Sequence, residues 1–150
     1  MDIEYLISHW RTVRTGLLET VAQFTDRDLD FRPFETAWTV RQLMLHIAHE
    51  EHGEFAYGIT QELSEFPPAY PTEEYPTLES IRSLLEAVHQ PTTTYLSMLG
   101  EADLRRVIVT PWGPSYPLIE MIRHLIEHEI HHRGELSLIL GMLGKKGLDV

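Results

Sequence analysis

Three stretches rich in turn residues cut this chain into four segments of helical periodicity, and that division limits its fold more than any other feature. The first segment is read as a helix from about Ile3 to Phe24, with Tyr5, Leu6, His9, Val13, Leu17, Val21 and Phe24 recurring on one face. A loop through Leu29 to Pro33 follows. The second helix starts at a capping box, Thr39 with Gln42 three residues on, and is expected to reach about Leu63. Four prolines between Glu65 and Pro76 forbid a continuous helix there. The third helix is expected from about Leu78 to Leu99, kinked by Pro91. A linker from Gly100 to Pro114 contains the β-branched run Val107 to Thr110. Ser115 then reads as N-cap of a fourth helix, with Pro117 in its first turn and Gly144 past its end near Leu143. Four amphipathic helices in 150 residues predict an all-α fold, a four-helix bundle forming one domain over residues 1–150.

Composition narrows the chemistry. The chain has no cysteine, which removes disulfides, thiolate metal sites and cysteine nucleophiles. This fits a reducing, cytoplasmic location, as does an N-terminus without the basic stretch of a signal peptide. No apolar run approaches the roughly 20 residues that cross a bilayer, so no membrane partner is expected. Twenty-three acidic residues against 12 basic ones give a net charge of −11, which argues against a nucleic-acid partner, since such proteins neutralise phosphates with basic patches.

Nine histidines are present, and seven fall in two short clusters. The second helix carries His46, His49 and His52, and the fourth carries His124, His128, His131 and His132. At about 100° per residue, His132 lies inside the apolar face defined by Met121, Ile122, Leu125, Leu136, Ile139 and Leu140. His128 lies at its edge, one turn earlier. Histidines four apart on a helix have Cβ atoms about 5–6 Å apart and can share an ion. On the second helix only His46 flanks the apolar face formed by Val40, Leu43, Met44, Ile47 and Phe55. His49 and His52 point away, and with His124 and His131 they are read as surface residues or supports. A lone histidine on an apolar face is more often a hydrogen-bonded core residue than a ligand. Three converging from two helices give instead the three-ligand, one-open-position pattern of a catalytic metal.

Glu129 falls in the middle of the fourth helix's apolar face, where a carboxylate needs a partner: Arg133, four residues on, is the simplest one, with a ligating histidine or another subunit as the alternatives. Glu50 follows His46 by a turn and Glu135 follows His132 by three residues, so both are candidates to orient a ligand or carry a proton. Trp38 and Trp112 precede the two histidine-bearing helices. Trp112 and Tyr116, with Tyr57, Tyr70 and Tyr75, are candidates for a pocket mouth, although aromatic residues at helix entries more often cap a core.

The segments from Trp38 to His49 and from His124 to Leu136, with Thr110-Pro111-Trp112-Gly113-Pro114 between them, resemble the DinB-like (damage-inducible) family and its YfiT-like relatives. The combination of H-H-R-G late in a small helical domain with an upstream Trp…His helix carries the resemblance. It implies a four-helix bundle whose metal, usually zinc or nickel, is held by His46, His128 and His132, and it implies a homodimer. It also implies an enzyme acting on a small molecule: a thiol S-transferase using a low-molecular-weight thiol such as bacillithiol or mycothiol, or a metal-dependent hydrolase. Members commonly have Gln after H-H-R-G where this chain has Glu135. The residues themselves do not choose between transfer and hydrolysis. Two further readings stay open: a non-catalytic dimer that binds a metal or small molecule, and a helical module whose histidines only pack.

Overall fold

A computed structural model of the chain describes residues 2–148. Helix α1 spans Ile3–Ala22, α2 Val40–Gly53, α3 Leu78–Ser97 and α4 Leu118–Met142. α1 and α2 each pack against both α3 and α4, so the two face one another diagonally across a four-helix bundle.

The helix starts follow local chemistry. Asp2 accepts a hydrogen bond from the Glu4 backbone at 2.9 Å and opens α1. Thr39 and Gln42 form the expected reciprocal box, with bonds of 3.1 and 2.9 Å. Thr77 and Ser80 do the same for α3, whose helical run continues through Pro91.

Two boundaries differ from the sequence reading. The second helix does not continue as an α-helix to Leu63: it ends at Gly53 and passes into a π-helical turn, Glu54–Ile59. Phe66 packs on Gly53, where an added Cβ would lie 2.1 Å from its ring. Ser115 does not cap the fourth helix, because it belongs to a short strand. Strand β1, Val107–Val109, pairs antiparallel with β2, Ser115–Pro117, placing Ile108 opposite Tyr116. Thr110 closes the turn by donating its hydroxyl to the Pro114 carbonyl at 2.5 Å, and Gly113 takes a φ of +119°. Pro117 then precedes α4 without a side-chain cap, and the Leu118 backbone donates to Arg106 at 2.8 Å.

The apolar core divides into two clusters. One gathers Leu17, Val21, Met44, Ile47, Leu85, Leu136 and Leu140; the other gathers Leu6, Trp10, Val13, Leu96, Ile122, Leu125 and Ile126. All four helices contribute to a polar cluster that includes Arg14, Glu51, His89 and Glu129. Arg14 pairs with Glu51, and its Nη2 lies 3.0 Å from Glu129 Oε2 and 3.1 Å from His89 Nδ1. His89 Nδ1 is 2.7 Å from Glu51 Oε1, and Trp10 Nε1 donates to Glu129 at 3.0 Å. Glu129 is therefore buried as expected, but its partner is not Arg133. The helix face that carries Glu129 looks across the bundle at α1, while Arg133 reaches the Val13 carbonyl.

Candidate metal centre

α2 and α4 run side by side, and their facing edges carry the histidines. His46 comes from the seventh position of α2, while His128 and His132 stand one turn apart on α4. The Nε2 atoms of His46 and His128 are 3.1 Å apart, and those of His128 and His132 are 3.0 Å apart. The ligand atoms of all three lie within 4.8 Å of one another.

This arrangement fits a divalent cation better than a hydrogen-bonded cluster. His128 Nε2 faces two other Nε2 atoms, yet a neutral imidazole nitrogen carries at most one proton and can serve only one such contact. Nitrogens held about 2.0–2.1 Å from one tetrahedral ion would be roughly 3.3 Å apart, within a few tenths of the observed spacing. Burial, then the neighbouring imidazoles His132 and His49, holds His46 down to about 4. Burial followed by His132 and His46 holds His128 to about 3. Both rings are thus neutral at physiological pH, as ligation requires.

Glu135 Oε2 lies 2.6 Å from His132 Nδ1. This contact keeps the ring proton on Nδ1 and leaves the Nε2 lone pair for an ion. Its other oxygen, Oε1, is 3.4 Å from the exposed His131. Glu50 Oε1 sits farther out, 3.8 Å from His46 Nδ1 and 3.5 Å from His49 Nδ1. It borders the trio without a hydrogen bond to His46. Trp38 covers His46, with ring centroids 4.5 Å apart. Both tryptophan positions stand out in the sequence, but only the structure shows which of them reaches a histidine.

The other candidates are distributed around this centre. His49 Nε2 meets the Pro67 carbonyl at 2.8 Å and His52 Nδ1 meets the Tyr70 hydroxyl at 2.9 Å, so both hold the long loop after α2 and are half-buried. A cavity of about 230 Å³ beside His46 is lined by Trp38, Gln42, His49 and Tyr70. Trp112 and Tyr116 lie at a different cavity, of about 350 Å³, one turn along α4 at His124. His124 pairs there with Glu54 at 3.1 Å, a residue the sequence reading does not single out. Its spacing was the available signal, because His46, Glu50 and Glu54 recur every four residues.

A small helical bundle with three imidazoles converging from two helices defines a class of histidine-lined bundle proteins. The chain belongs to the DinB superfamily, whose profile matches residues 9–136. A Geobacillus thermodenitrificans protein, named for an inferred metal-dependent hydrolase activity, is 27% identical over 158 residues, covering 97% of this chain and 86% of the relative. The crystal structure of a DinB-like protein from Bacillus cereus superposes with a TM-score of 0.80 at 20% identity, covering 99% and 97% of the two chains. YfiT from Bacillus subtilis, described as an inferred metal-dependent hydrolase with an unusual four-helix bundle topology, gives 0.64 at 24% identity over 93% and 87%.

Two more distant structures bear on the expected partners. The mycothiol-dependent maleylpyruvate isomerase shares the fold, with a TM-score of 0.65 at 12% identity, covering 88% of this chain and 60% of that one. The colibactin self-resistance protein ClbS, solved with a dsDNA, gives 0.72 at 14% identity over 93% and 96%. The fold therefore does not itself exclude nucleic acid, and that expectation is left with the −11 charge alone. No helix among the described residues is long and apolar enough to cross a membrane.

Proposed function

We propose that this protein is a metal-dependent enzyme in which His46, His128 and His132 hold a divalent cation, zinc or nickel, that activates a small nucleophile. The observation that carries the reading is that His128 Nε2 lies 3.1 Å from His46 Nε2 and 3.0 Å from His132 Nε2, the ligand atoms of all three falling within 4.8 Å of one another. A bound divalent ion with an open position supplies one kind of chemistry there, bringing a water or a thiol to its anion near neutral pH.

The chain's own residues do the rest. Glu135 fixes the His132 ring through Nδ1. Glu50, half-buried beside His46 and His49, is placed to accept a proton from the nucleophile. Trp38 shields the His46 ring from bulk water. The chain has no cysteine, so a thiol nucleophile must come from a low-molecular-weight cofactor.

Hydrolysis and thiol transfer share this machinery and differ only in the nucleophile. The relatives named for metal-dependent hydrolysis favour water. The thiol reading is supported by the mycothiol-dependent neighbour. A homodimer is supported by an apolar surface beside the centre, where Phe34, Trp38, Leu138 and Met142 are exposed around a depression that also reaches Glu135.

The test is metal content by mass spectrometry on untagged protein, followed by assays with thiol-acceptor and ester or amide substrates. Near-stoichiometric metal is expected in the wild type, falling sharply in His46→Ala and His132→Ala. A wild type that takes up no divalent ion on reconstitution would overturn the proposal.

A further inference from the structure

The facing edges of α2 and α4 do not stop at the histidine trio. On α2 and the π-helical turn that continues it, His46, Glu50 and Glu54 follow at four-residue intervals; on α4, His132, His128 and His124 run the other way. The seam begins at the trio and ends where His124 Nε2 meets Glu54 Oε1 at 3.1 Å. There it opens into the cavity of about 350 Å³, whose walls are Glu54, Trp112, Tyr116, Glu120, Met121 and His124. This volume is within the range of small-molecule sites.

The π-helical turn shapes that cavity. Gly58 lies within it, and an added Cβ would meet Trp112 Cη2 at 2.5 Å and Met121 Cε at 3.4 Å. The indole is therefore seated directly on the backbone of the turn, as no other residue at position 58 would allow. π-turns inside helices are frequent at functional sites, and this one sets an aromatic wall.

The wall chemistry has one sign. Among the described residues, two carboxylates and no lysine or arginine line the cavity, and Trp112 and Tyr116 are partly exposed. Glu54 is mostly buried, with 18% of its side chain exposed, and His124 engages its Oε1. Burial pushes its carboxyl up, His124 offsets part of this, and Glu50 adds to it. A carboxylate so placed gains from a cation that arrives with its own apolar body. An aromatic face beside it attracts the same charge.

We propose that this cavity is the substrate subsite of the metal centre and that it selects small molecules carrying a protonated amine on an apolar or aromatic body. The ammonium group sits against Glu54 with Trp112 and Tyr116 alongside, and the body lies over Met121. The rest of the molecule extends along α4 past His124 toward His128, one helical turn away, about 5–6 Å between Cβ atoms. As the reacting end of the substrate, that extension rests on the metal reading above, while the cation selectivity of the cavity does not.

The experiment compares benzylammonium, benzyl alcohol and benzoate by titration calorimetry on metal-loaded and chelator-treated protein. Benzylammonium is expected to bind about tenfold more tightly than benzyl alcohol, and benzoate more weakly than either. Glu54→Gln is expected to erase that preference while metal content by mass spectrometry is unchanged. Gly58→Ala, which displaces the indole, is expected to weaken all three ligands and shift the tryptophan fluorescence. Equal affinity for the amine and the alcohol, or a preference that survives Glu54→Gln, would overturn the proposal. A preference for the amine in protein that never takes up metal would support the selectivity of the cavity and overturn the metal reading, so the two failures are distinguishable.

Discussion

Glu135 makes a 2.6 Å contact with His132 Nδ1, and its being a carboxylate rather than an amide has a physical consequence there. A carboxylate accepts the imidazole proton with full charge, whereas an amide does so weakly. Glu135→Gln should therefore lower metal affinity by about 10- to 100-fold, read by chelator competition, with helical circular dichroism unchanged. A second residue-scale prediction concerns Glu51. Burial pushes its carboxyl up, but the Arg14 charge and the His89 hydrogen bond outweigh burial and leave it below the usual carboxylate range. A group depressed in the folded state stabilises the fold above its unfolded pKa, and that contribution is lost as pH falls through the folded value. Urea unfolding midpoints should therefore drop as pH falls through and below the usual carboxylate range. In Glu51→Gln the drop should be shallower, on a lower baseline.

At the scale of elements, helix starts were legible because capping is local: Thr39 and Gln42 find each other within one turn. Thr39→Ala should cost about 1 kcal/mol in urea unfolding. Metal content should be unaffected, since His46 lies two turns beyond the cap. Helix ends and breaks were less legible. The α-to-π change after Gly53 leaves apolar residues such as Phe55 and Ile59 at spacings that suit either helix. The π turn is flanked by contacts from outside the helix that no local pattern announces, Phe66 on Gly53 and Trp112 on Gly58. Ser115 before a proline looks like a cap, yet its backbone is taken by the ladder with Val109. The β-branched run Val107 to Thr110 reads in sequence as part of a linker, yet Val107–Val109 form a strand; its partner has no comparable pattern.

For the molecule as a whole, the exposed apolar surface beside the metal centre is the feature most in need of a partner. Leu138 is 69% and Phe34 65% exposed, on either side of a depression that includes Trp38 and Glu135. If this face joins two copies, light scattering should give a dimer for the wild type and a monomer for Leu138→Asp, with the metal content of both alike. A wild-type monomer at high micromolar concentration would remove the dimer reading without touching the ligands.

What the sequence by itself determined was whatever depends on period and spacing. The four helices, the inward sector of α4 and the i,i+4 pair His128 and His132 all follow from 3.6 residues per turn. His46 followed because one helix edge alone fits both a histidine and the apolar face. Tertiary structure decided what depends on which helices are neighbours. It gave Glu129 to Arg14 and Trp10 rather than Arg133, because α1 lies across the core from that face of α4. It set Trp38 on His46 and moved Trp112 to the cavity at Glu54. Periodicity tells each side chain which way to face along its own helix; only packing supplies the partner it meets there.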